Sequence, residues 1–155
     1  MSWVYTQLKD RSLDAIYKMS HAKNQTEFEA ALPLLHAPGL NIMYGDAENN
    51  IGWYAVAKLY ELPKTAHSKF IMDGTTGENE RIRYLDFSEN PKAINPPWHY
   101  VYSANNQPDS ISGMFYPGYY LSENRAKRIV QLIEPKNDWD KKAMTEMITD
   151  VTSSV

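Results

Sequence analysis

Residues 40–63 read LNIMYGDAENNIGWYAVAKLYELP. Two runs rich in Ile, Tyr, Trp and Val flank the pentapeptide DAENN, residues 46–50. Branched and aromatic side chains suit a pleated, half-buried surface. Asp and Asn tolerate the left-handed backbone of tight turns. The stretch therefore predicts a β-hairpin closed by a loop of about five residues. Gly52, just inside the second run, predicts a bulge or a close backbone approach. A lone hairpin is marginal in water, so the rest of the chain must cover this one.

Helical cover is legible on both sides. Leu13, Ile16 and Tyr17 fall at helical spacing, with Asp10 or Ser12 as a cap. Thr26 and Glu29 form a T-x-x-E capping box ahead of an apolar face of Phe28, Ala31, Leu32 and Leu35. HAPG, residues 36–39, ends that helix. Beyond the hairpin, residues 64–81 read as loops, RIRYLDF (81–87) as a short strand and SENPKAINPPW (88–98) as a proline-punctuated connection. HYVYS (99–103) predicts another strand, which stops at the adjacent Asn105 and Asn106. Ser122 caps a helix with Ala126, Ile129, Val130 and Ile133 on one face. Asp138 starts the last helix, lined by Met144, Met147, Ile148 and Val151. With SWVYT (2–6) as a further short strand, the pattern is α+β, one domain over residues 1–155, matching one layer pair of a larger αββα sandwich.

Composition narrows the function. The chain has 155 residues, a net charge of −3 and no cysteine. No basic field draws phosphate, so nucleic acid is not an expected partner. Disulfides and thiolate metal sites are excluded. No apolar run approaches the roughly 20 residues of a membrane span, and MSWVYTQLKD lacks the pattern of a signal peptide. That start reads as a strand already under way, as in a piece cut from a longer chain. The eleven Tyr and four Trp read as packing rather than a stacking platform, which pairs aromatics with a basic groove.

Familiar catalytic signatures are missing: there is no G-x-S-x-G, P-loop or H-E-x-x-H. His21, His36, His67 and His99 are scattered. Asp46 and Glu48 sit in a turn, and Asp140 with Lys141 and Lys142 reads as a solvated helix face. The Asn105–Asn106 pair has two readings. One is an Asx-turn that closes a strand. The other is an amide that donates to charge developing on a carbonyl oxygen, for which Asn is suited because it donates without titrating.

The order of NIMYGDAENNIGWYAVAKL, ENPKAINPP, YVYSANNQ, NRAKRIVQLI and MITDVTSS resembles the β-subunit of the penicillin acylase (penicillin amidase) family. The resemblance covers nearly the whole chain, including the SWVYT start and the NQTEFEAAL helix. It implies an N-terminal nucleophile hydrolase of αββα fold, in which a serine exposed by self-cleavage attacks an amide with its own α-amino group as base. By matching position it implies Asn105 as the oxyanion-hole donor and Arg125 as the arginine that braces the active site, with Asn106 stabilising the turn. Ser2 does not match the family nucleophile, which lies upstream of everything here.

The resemblance further implies an internal piece of the β-subunit, inactive alone, partnered by the rest of that subunit and by an α-subunit. The whole enzyme would act on a small acyl amide: a penicillin side chain, an N-acyl homoserine lactone or a related N-acyl compound. It would be periplasmic or secreted. Many members hold calcium through a carboxylate after the Asn pair. Here that neighbourhood offers Asp109 and then Gly113 where an acid is expected. No cofactor is therefore assigned to this chain, and calcium is left to the whole enzyme. From the residues alone, the competing expectation is a free-standing module whose Tyr- and Trp-rich face binds carbohydrate or protein.

Overall fold

A computed structural model describes residues 4–7, 9, 11–109 and 116–154. The expectations placed on Ser2, Asp10 and Gly113 lie outside the described residues. The chain divides into two compact units. One takes residues 1–101 and 108–119, the other 102–107 and 120–155.

The first unit opens with one helical turn, α1 (Val4–Gln7), where a strand over residues 2–6 was expected. The β-bias of Val4, Tyr5 and Thr6 is a weak preference that local context overrides. Helix α2 (Ser12–His21) follows. Its buried residue is Ala15, while the expected apolar face of Leu13, Ile16 and Tyr17 is exposed. Helix α3 (Gln25–Ala31) is capped two residues before the predicted box. Asn24 is the cap: its extended backbone lets the side chain accept from Glu27 N at 2.9 Å, and the Glu27 carboxylate accepts from Lys23 N at 3.0 Å. Glu29 is drawn elsewhere, accepting from Tyr54 Oη at 2.7 Å and from Gln25 Nε2 at 3.0 Å.

The hairpin forms as predicted. Strands β1 (Leu40–Gly45) and β2 (Ile51–Val56) pair antiparallel from Leu40 opposite Val56 to Gly45 opposite Ile51. Asp46 organises the loop. Its carboxylate accepts from the backbone N–H groups of Glu48 and Asn50, from Asn50 Nδ2 and from Tyr44 Oη, each at 2.9 Å. These donors, Asn50 first, hold its carboxyl below the usual aspartate range. Asn49 takes the left-handed turn position, with φ 67°. The register is continuous, so Gly52 marks no bulge. A Cβ there would lie 2.8 Å from the Tyr54 ring, so the glycine admits that ring. Tyr54 and Val56 face the helices and close the core with Ala15, Leu32 and Leu35. Full burial of each large aliphatic side chain contributes about 1.5–3 kcal/mol.

A two-stranded ladder follows, β3 (Tyr60–Glu61) with β4 (Arg83–Tyr84). The strand expected over 81–87 is therefore reduced to two residues. Arg83 donates to Glu61, directly opposite, at 3.0 Å and to both oxygens of Glu89 at 2.7 and 2.8 Å. The Arg83 hydrogen bonds hold the Glu89 carboxyl down at about 2.

The connection over 88–98 hides a strand. Strand β5 (Lys92–Ile94) pairs with β2 and makes β2 the centre of a three-stranded sheet. Ala55 N donates to Pro91 O at 2.9 Å, but a proline has no N–H to return. The buried Asn90 supplies the missing donor: its Nδ2 lies 2.9 Å from both Ala55 O and Ala57 O. Asn95 ends the strand in the left-handed region, φ 45°, and its side chain accepts from Ile51 N at 2.8 Å.

The second unit holds helices α4 (Asn124–Ile133) and α5 (Lys141–Ile148). Ala126 is buried and Ile129, Val130 and Ile133 are half-buried, as the spacing predicted. Ser122 caps nothing; its hydroxyl donates to the Asn124 side chain at 3.0 Å. Asp140, not Asp138, caps α5 by accepting from Ala143 N at 2.7 Å. Met144, Ile148 and Val151 are exposed. Residues 99–103 form no strand, and Asn106 makes only an isolated parallel bridge to Leu121.

Candidate active site

Asn105 and Arg125 are 20 residues apart in sequence and meet within the second unit. Asn105 sits at φ 59°, in the left-handed region that Asn enters more readily than most residues. Its carbonyl accepts from Leu121 N at 2.8 Å, alongside the Asn106–Leu121 bridge. The segment bearing the pair is thus tied to the residues that lead into α4.

Arg125 occupies the first turn of α4. A cation there opposes the helix dipole, and the helix has neither a side-chain cap nor an acidic residue in that turn. Residues that break a local rule are expected at functional or strained sites, and this one is held by contacts to the segment of Asn105. Arg125 Nη2 donates to Asn105 Oδ1 at 2.9 Å and also to the carbonyl oxygen of Ala104. The guanidinium fixes which end of the Asn105 amide faces it, because only the oxygen accepts. The Nδ2 protons are left pointing elsewhere, and among the described residues none accepts them. A charged donor on the oxygen also polarises the amide, which strengthens its N–H groups as donors.

Asn106 differs. Its Oδ1 lies 3.4 Å from Ala104 N and its Nδ2 3.4 Å from Gln107 O, contacts long enough to be weak, and both are local. Its surroundings are turn chemistry.

Other arrangements are structural. Ser20 Oγ lies 3.1 Å from His21 Nδ1, but both groups also bond Tyr17 O at 2.8 Å, the ordinary satisfaction of a helix end. Asp46 is occupied by its loop. A cavity of about 450 Å³ in the first unit is lined by Tyr60, Leu62, Met72, Asp73, Arg81 and Tyr84, among others, and contains neither Asn105 nor Arg125. Asp109 is exposed, and among the described residues no group of three His, Asp or Glu side chains converges on a metal position.

Sequence reading missed Asp150. It accepts from Arg128 Nε at 3.0 Å and from Nη2 at 2.7 Å, so it ties the segment after α5 to the middle of α4. Nothing local in the sequence links residues 22 positions apart. The available signal was an Arg on a half-buried helix face with an unassigned Asp downstream.

Three comparisons with known proteins show what the chain is similar to. The family model for penicillin amidase matches residues 1–155. The chain is 29% identical over 147 residues to acyl-homoserine lactone acylase QuiP of Pseudomonas aeruginosa, a match covering 93% of this chain and 17% of that protein. It resembles the solved thermostable penicillin G acylase of Alcaligenes faecalis with a TM-score of 0.73 and 26% identity, over 88% of this chain and 24% of the other. The chain thus spans about a sixth of the curated relative and about a quarter of the solved chain.

Proposed function

This chain belongs to the penicillin amidase family, and on that premise we propose that Asn105 is the oxyanion-hole donor of an acyl-amide hydrolase whose nucleophilic serine lies outside these residues. Both reported relatives are acylases by name. The observation that carries the reading is the Arg125–Asn105 bond, which engages the amide oxygen and leaves the amide N–H groups for a reacting oxygen.

In the proposed reaction the serine Oγ attacks the acyl carbonyl carbon, and its proton passes to the serine's own α-amino group. The carbonyl π pair moves to oxygen, and Asn105 Nδ2 donates to the oxyanion. The C–N bond then breaks, the amine leaves with the returning proton, and water hydrolyses the acyl-serine. Arg125 touches none of the reacting atoms; it positions Asn105.

The substrate is a linear acyl amide: the side-chain amide of a penicillin, an N-acyl homoserine lactone or a related N-acyl amine. The chain alone carries the donor without the nucleophile and should be inactive. The rest of the β-subunit and an α-subunit complete the enzyme. A family match over the whole chain favours this reading over a free-standing binding module.

The test is a tetrahedral mimic. In the processed enzyme, Asn105→Ala should weaken an acyl-chain boronate inhibitor by about tenfold or more, because such compounds draw on contacts made in the transition state. Binding of the carboxylic acid product should change little. Equal weakening of both would show that Asn105 shapes the pocket and does not serve the oxyanion.

A further inference from the structure

We propose that the Arg128–Asp150 ion pair is a positioning device for this reaction: it fixes the turn of α4 that aims Arg125 at Asn105. The inference rests on the reading of Asn105 as the oxyanion donor. Arg128 follows Arg125 by three residues, just under one turn, on the same helix. Its contact with Asp150 is two-pronged, Nε to Oδ1 at 3.0 Å and Nη2 to Oδ2 at 2.7 Å. With side chains 28% and 20% exposed, it is the least exposed ion pair among the described residues. Exposed pairs have loose geometry and little worth, whereas a fork-shaped, shielded one holds a defined arrangement.

Asp150 is itself held in place, since its Oδ1 accepts from Thr152 N at 3.0 Å. One turn further along α4, Ser154 Oγ donates to Gln131 Oε1 at 3.1 Å. Residues 150–154 therefore run beside α4 and grip it at Arg128 and Gln131. That grip matters because the start of α4 has no side-chain cap to fix it. The direction of the Arg125 side chain is set by what holds the helix body. Arg125 reaches the Asn105 segment through one nitrogen, which bonds Asn105 Oδ1 at an exposed position and the Ala104 carbonyl beside it, so a small rotation or slide of α4 would strain both bonds. Displacements of about 1 Å at this remove are enough to cost catalysis.

The test is a double-mutant cycle in the processed acylase that carries these residues. Asp150→Asn removes the charge and one acceptor, and Arg128→Lys keeps the charge but loses the fork. Each should lower kcat about tenfold with KM nearly unchanged. In an Arg125→Ala background neither should lower kcat further, because the path to Asn105 is already cut. A merely structural pair predicts the same loss in both backgrounds; that additivity would overturn the proposal, as would a change confined to KM. If neither variant yields processed enzyme, the pair is a folding element and the proposal is likewise overturned. Asn105→Ala in the same assay separates the premises. Unchanged kcat there removes the oxyanion reading itself, whereas lowered kcat with an additive Asp150 effect removes only the positioning role.

Discussion

The Arg125 guanidinium donates to the side-chain oxygen of Asn105 at 2.9 Å, and that bond decides which end of the amide is turned outward. The same nitrogen also serves the Ala104 carbonyl, so one cation orders the side chain of the candidate donor and the backbone of the residue before it.

Arg125→Lys tests this directly. Lysine keeps the charge but presents a point donor on a flexible stem in place of a planar fork. An ammonium also engages only the amide oxygen, but from a shorter and more mobile side chain it should hold the Asn105 amide less firmly. We expect kcat of the processed enzyme to fall roughly 10- to 100-fold, the scale of a small misplacement at a reacting centre, while KM stays near its original value. A lysine variant with full kcat would show that charge alone suffices.

The Asn90–Pro91 step makes a prediction about stability. Asn90 is 2% exposed and stands in for the N–H that Pro91 lacks. Asn90→Ala leaves Ala55 O and Ala57 O without that donor. Leaving buried acceptors unsatisfied costs about 1–3 kcal/mol, which should appear as a lower urea midpoint with an unchanged slope. Asn90→Asp should be at least as harmful, because it places acceptors against acceptors. An aspartate variant as stable as the parent would contradict the assignment.

The loss of stability in acid should run partly through Glu89. Its carboxyl is held at about 2 against an ordinary 4.5, chiefly by hydrogen bonds from Arg83. A folded value below the unfolded one means that the contribution is complete above about pH 4.5 and fades as pH falls towards 2. Urea midpoints of the chain and of Arg83→Gln, measured from pH 6 down to roughly pH 2, should therefore differ most at the high end and converge at the low end. A difference constant across that range would assign the arginine's role to packing.

Much of this was legible because it is local. The hairpin, its loop length and the α4 face follow from side-chain type and period over a few residues. The strand β5 was hidden because proline argues against a strand, and the compensating donor is a neighbouring side chain whose target lies 35 residues away. The cap of α3 was misplaced because Thr26 and Glu29 also satisfy the pattern, and the choice fell to Glu29's bond with Tyr54 across the core. Residues 99–103 carry strand-forming side chains but have no partner strand among the described residues, and composition cannot supply one. The exposure of Leu13, Ile16 and Tyr17 on α2 is likewise invisible to periodicity, which finds an apolar face without saying what covers it. The Asn105 and Arg125 assignments came from a family resemblance. Their contact belongs to the structure alone.

The most direct measurement is kcat of processed Asn105→Ala enzyme on an acyl amide, beside Asn106→Ala as the control. Loss of one oxyanion donor should lower kcat about 10²- to 10³-fold, or roughly 3–4 kcal/mol, with KM little changed. Asn106→Ala should lower the unfolding midpoint and leave kcat within a few fold, because its contacts are those of a turn. Near-full kcat in correctly processed Asn105→Ala enzyme would contradict the account and return both asparagines to turn chemistry.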